Sequence, residues 1–173
     1  LEFMKYTADW HEYLDLPARH QVLLARFFAG TSTGDAPAQG AYQLGGDSPG
    51  DITLSLNDRS VHLRGYPVNV LRGGNAALAG LEYRFPLSVI DRGWNTKAVY
   101  FRKVHGALFC EAGSAWDGTF HETYLRKSVG AEARFDFQVA YYLPVMVRFV
   151  VAKGLDEDGQ AQAYFGLWIP LEL

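Results

Sequence analysis

Along most of this chain apolar and polar residues take turns, one for one. Alternate side chains of a strand project to opposite faces, so a period of two predicts strands with one apolar and one polar face. Ser128–Phe137 alternates without a break: Val129, Ala131, Ala133, Phe135 and Phe137 stand against Ser128, Gly130, Glu132, Arg134 and Asp136. Gln160–Leu171 does the same, with Ala161, Ala163, Phe165, Leu167, Ile169 and Leu171 on its apolar side. Further strands are predicted at Met4–Tyr13, Arg19–Gly30, Ala76–Leu87, His105–Gly113 and Val145–Lys153.

The segments between them read as turns and loops. Turns are expected at Leu14–Ala18 and Tyr141–Pro144, a short connection at Ser88–Thr96, an exposed loop at Ser114–Leu125 and an acidic hairpin loop at Leu155–Gly159. Lys97–Val104 alternates poorly and reads as strand or helix; Ile52–Leu56 reads as a short strand or a helical turn. The longest connection, 31–74, is polar and rich in glycine. Connections of that length inside a compact domain usually carry function.

The polar faces carry glycine and charges of both signs: Arg26, then Glu82 and Arg84, then Glu132, Arg134 and Asp136, then Arg148. A soluble antiparallel sheet turns its apolar face to the core. A membrane barrel inverts this, with an apolar outside and a polar lumen. The two readings differ in a checkable way. A soluble barrel holding an apolar ligand would point Val129, Phe135, Phe165 and Leu167 inward; a membrane barrel would line its lumen with the charges instead.

Composition narrows the function classes. Aromatic residues make up 14 % and there are 18 glycines, which suits tight turns and aromatic girdles. No stretch approaches the roughly 18 apolar residues of a membrane-spanning helix. A net charge of −3 argues against nucleic acid as a partner, which calls for a basic stripe. The lone Cys110 allows no internal disulfide, and the five histidines lack ligand spacing, so neither metal nor other cofactor is expected. No nucleophile elbow or phosphate loop is present, and Glu132 and Asp136 around Arg134 read as an ion lattice rather than a catalytic acid pair. The protein is not expected to be an enzyme. Residues 1–173 are expected to form one domain, with Leu1, Glu2 and Phe3 ahead of Met4 read as a cloning remnant.

Four features stand in a telling order: Leu16-Pro17-Ala18-Arg19-His20; Leu63-Arg64-Gly65-Tyr66 at the end of the long loop; Gly80-Leu81-Glu82-Tyr83-Arg84-Phe85-Pro86-Leu87; and Gly106-Ala107-Leu108-Phe109-Cys110-Glu111-Ala112-Gly113. From about Tyr13 to Leu171 the chain resembles the C-terminal barrel region of the bacterial surface-antigen superfamily. That superfamily takes in BamA-type outer-membrane assembly factors and two-partner secretion transporters. The resemblance implies an antiparallel transmembrane β-barrel, either the C-terminal part of a larger barrel or a reduced barrel of roughly eight strands. It implies that the loop folds back into the barrel and that Arg64 docks on Phe109 and Glu111, with Gly113 ending that motif. The family usually has aspartate at the position of Glu111. Gly166, Ile169 and Leu171 resemble the terminal assembly signal of such barrels, although the signal usually ends in an aromatic.

By the same resemblance the protein would sit in the bacterial outer membrane and help insert or translocate proteins. Its partners would be outer-membrane lipid, unfolded or secreted client proteins and a second copy of the chain. A small lipid-embedded barrel with a structural role is the alternative.

Overall fold

The computed structural model describes residues 3–34, 40–46, 60–94, 97–140 and 142–169. The long strands are β1 (Phe3–Asp15), β2 (Val22–Gly34), β6 (Asn75–Gly93), β7 (Val99–Trp116), β8 (Arg126–Val139), β9 (Leu143–Gly154) and β10 (Ala161–Trp168). Three short ones, β3 (Tyr42–Leu44), β4 (Ser60–Val61) and β5 (Leu71–Gly73), lie between β2 and β6. The long strands form one antiparallel sheet of seven in the order β1-β2-β6-β7-β8-β9-β10. This is an all-β fold. Its sheet is not closed, because β1 and β10 are edges that do not pair with each other among the described residues. An open wall of this kind is compatible with part of a barrel.

The two faces of the wall differ in the sense that a membrane barrel requires. On the inner face Leu24, Leu78, Phe109, Glu82, Ser128, Glu132 and Val150 are buried. On the outer face Leu81, Leu108, Phe149 and Val151 are exposed. Val129 is 41 % exposed and Phe165 61 %, with Phe135 and Leu167 also exposed. The soluble reading needed those four side chains inside, so the structure corrects it. An apolar face of this extent marks a contact surface rather than a solvated one.

The loop between β2 and β6 supplies what the inner face buries. Strands β4, β3 and β5 make a small sheet. Its Tyr42, Leu44, Val61, Leu63 and Tyr66 cluster with Ala76, Leu78 and Ala115 of the wall. Each such aliphatic side chain stabilises by about 1.5–3 kcal/mol when removed from water. Tyr42 meets Phe28 edge to face at 6.0 Å, and its hydroxyl donates to the Tyr6 carbonyl at 2.9 Å.

Several element boundaries depart from the sequence pattern. Arg19 and His20 belong to the first turn, with His20 in the left-handed region, and β2 starts at Val22. The expected connection Ser88–Thr96 is strand as far as Gly93, and the ambiguous Lys97–Val104 joins β7 from Val99. Register shifts at Pro86/Ser88, Val89/Arg92 and Phe101/Lys103 explain why alternation fails there. A bulge inserts an extra residue and flips the faces beyond it. The expected Ser114–Leu125 loop shrinks, since β7 runs to Trp116, and it holds a 3-10 turn at Glu122–Tyr124. Pro144 lies in β9 rather than in the turn before it. Ile52–Leu56 and Leu171 lie outside the described residues.

Candidate functional site

Three neighbouring strands each send a glutamate to the inner face. Glu82 comes from β6, Glu111 from β7 and Glu132 from β8. Register sets this: Gly80 faces Glu111, Glu111 faces Ser128, and Ala107 faces Glu132. Glycine and serine as cross-strand neighbours leave space for the long carboxylate side chains.

Into this acidic wall the loop delivers Arg64, which is only 8 % exposed. Its Nε and Nη2 donate to Glu111 Oε1 at 2.9 and 2.5 Å, and its backbone N–H donates to Glu111 Oε2 at 3.2 Å. Nη2 also reaches Glu82 at 3.4 Å and Nη1 reaches Glu132 at 3.5 Å. The guanidinium carbon stands 3.3 Å from the centroid of the Phe109 ring. One planar cation thus satisfies carboxylates in its plane and an aromatic face above it, which arginine can do and lysine cannot. Burial alone would lower the Arg64 pKa; the Glu111 carboxylate, helped by Glu82 and Glu132, outweighs it and holds the group above its ordinary value.

Two glycines make the approach possible. Gly65 has φ +85°, and a Cβ there would lie 2.5 Å from the Gly154 backbone nitrogen. Gly130, across from Phe109 in the β7–β8 register, leaves the ring its place; a Cβ there would lie within the ring's contact radius. Leu63 is fully buried in the loop core. The Tyr66 hydroxyl donates to the Lys127 carbonyl at 2.6 Å. Gly113 packs under Leu44.

The remaining charges sort into those on the network and those off it. Arg84 donates to Glu82 at 2.6 Å, Arg148 lies 2.9 Å from Glu132, and Arg134 bonds Glu132 and reaches Glu82 at 3.5 Å. Arg26 instead pairs with Asp9 of β1 at 3.1 Å, and Asp136 pairs with His105 at 3.5 Å. Arg26 nevertheless lines the same inner cavity of about 490 Å³ as Arg64, Arg84, Arg134 and Arg148. Gly166 sits on the cavity side against Arg148, while Ile169 follows the end of β10.

Sequence reasoning missed His62, Tyr164 and Gln160. His62 lines the cavity, and burial, then the positive charge of Arg26, lowers its pKa; Arg148 adds to this and Glu111 opposes it. Tyr164 accepts the Gly65 backbone N–H at 3.0 Å, and the Gln160 N–H donates to the Gly65 carbonyl at 2.9 Å. The alternation of β10 put Gln160 and Tyr164 on the polar face, but nothing in the pattern tied them to residue 65.

A family model described as the Omp85 superfamily domain matches residues 1–166. No curated protein and no solved structure matches the chain.

Proposed function

The chain belongs to the Omp85 superfamily, whose members are outer-membrane proteins concerned with protein insertion and translocation, and from that premise we propose that it acts in the bacterial outer membrane as a barrel wall that helps insert or translocate client proteins. The carrying observation is the inverted sheet: an exposed apolar outer face backed by a buried ion network that clamps a folded-in loop. Outer-membrane lipid covers the outer face in this reading. The work is conformational, with the loop and the open edges of the wall guiding an unfolded chain, and no bond is made or broken.

The test is to fold the protein into lipid vesicles and follow the folding of a second, urea-denatured outer-membrane barrel added to them. The expected result is faster client folding than in empty vesicles, and a smaller acceleration with Arg64→Ala. Equal rates with and without the protein, when the protein itself is membrane-embedded and heat-modifiable on a gel, would overturn the insertion role.

A further inference from the structure

The edge strand β10 is held by unusual means. It is the shortest strand of the large sheet, and among the described residues it pairs with β9 alone. It is also bonded to the loop that carries Arg64. The Gly65 N–H donates to the Tyr164 hydroxyl at 3.0 Å, and the Gly65 carbonyl accepts from Gln160 N–H at 2.9 Å. The Tyr164 hydroxyl in turn donates to Gln162 on the same strand. Its ring packs on Phe109, Val150 and Ala152. The next loop residue reaches the hairpin that leads into β10: the Asp156 N–H donates to the Tyr66 hydroxyl at 3.2 Å. Backbone to backbone, Gly65 lies against Gly154 so closely that no Cβ fits.

Arg64 and Gly65 are adjacent in the chain but bind opposite parts of the wall. Arg64 is anchored to β6, β7 and β8 through Glu82, Glu111 and Glu132. Gly65 is anchored to the entry and middle of β10. Phe109 belongs to both, since its ring carries the guanidinium and touches the Tyr164 cluster.

We propose that the loop is a strut that fastens the edge strand β10 to the middle of the wall, with Tyr164 as the positioning residue that transmits Arg64 docking to that edge. This rests on the barrel reading above and adds which strand the loop controls. When Arg64 leaves the glutamates, Gly65 cannot stay, and β10 loses its bonds to the loop while keeping its β9 ladder and the packing of the Tyr164 ring.

The test is residue-resolved amide hydrogen exchange on the vesicle-embedded protein. Tyr164→Phe removes one hydroxyl and keeps the ring. It should speed exchange at residues 161–168 by roughly three- to tenfold, the change in open population that one net hydrogen bond gives, while residues of β7 and β8 stay as protected as in the wild type. Arg64→Lys should speed exchange in the same strand, acting through the adjacent Gly65. Because one strut is broken either way, the double variant should exchange at β10 no faster than the stronger single one. Unchanged β10 exchange in Tyr164→Phe, or effects of the two substitutions that multiply, would overturn the strut. Client folding measured on the same samples separates the two readings: coupled exchange without client acceleration refutes the insertion role alone, and client acceleration without coupled exchange refutes the strut alone.

Discussion

The guanidinium of Arg64 lies over the ring of Phe109, its central carbon 3.3 Å from the ring centroid. The ring is fixed from behind, since Gly130 on the neighbouring strand leaves it the space of an absent side chain. A cation stacked on one face and held by Glu111 at its edge has little freedom left. That makes the pair sensitive to the shape of the cation as well as to its charge.

Replacing Arg64 by alanine should therefore be costly. It leaves the largely buried Glu111 without the cation that faces it and takes one partner from the buried Glu82 and Glu132, a loss approaching the roughly 3–5 kcal/mol of a broken buried pair. Arg64→Lys keeps a charge but loses the stack and the fork, so it should fall between alanine and wild type. Urea unfolding of the membrane-embedded protein would rank the three. Equal midpoints for alanine and wild type would mean that the docked arginine contributes nothing to stability.

Gly65 and Gly118 offer an internal control. Both have positive φ, +85° and +65°, but a Cβ at Gly118 meets nothing within 4 Å while one at Gly65 strikes the Gly154 backbone. Gly118→Ala should cost about 1 kcal/mol from backbone strain alone. Gly65→Ala should cost clearly more and undock the loop, seen as protease cutting between β4 and β5 in that variant only.

The pH dependence follows from His62. Its folded-state pKa is held below the ordinary histidine value of about 6.5, so below that pH the unfolded chain binds the extra proton more readily. Its contribution to stability is complete above the unfolded value and is lost as pH falls toward the lower folded one. Urea midpoints should decline as pH drops from about 6.5, and the decline should be shallower in His62→Gln. Identical slopes would show that His62 is not held half-buried beside Arg26 and Arg148.

The membrane reading predicts opposite responses on the two faces of β10. Phe165 points outward and is exposed, whereas Gln162 lies on the inner side two strand positions before Tyr164. Phe165→Arg should weaken insertion into vesicles by about 2–4 kcal/mol if it lies near the bilayer midplane. Gln162→Arg, which loses the bond from the Tyr164 hydroxyl but meets no lipid, should weaken insertion far less. Equal tolerance of both substitutions would place water, not lipid, on the outer face.

Much of this architecture was legible in strict alternation. Ser128–Phe137 and Ala161–Leu167 keep their faces throughout, so their inward and outward residues could be read directly. Alternation lost its meaning where the ladder slips, past Pro86 and at Phe101, and there the strands outran their sequence signal. The small sheet of β3, β4 and β5 was hidden for a different reason. Strands of two or three residues are too short to show a period, and their burial depends on a wall built from distant parts of the chain. The approach of Arg64 to Phe109 and Glu111 came from motif order and the family resemblance. The joining of Glu82 and Glu132 to the same cation did not, because it depends on register across three strands.

Among the described residues the large sheet has seven strands, an odd number, and that has a topological consequence. In a meander each strand reverses the last, so β1 and β10 run in the same direction. A copy of the same wall placed upright beside it would meet it edge to edge in parallel, against the antiparallel grain of every other seam. An even set of added strands would force the same mismatch at one edge. Only an odd set, entered and left by strands running the other way, completes the ring with uniform pairing, so parity by itself divides the partners that can seal this wall from those that can only lean against it.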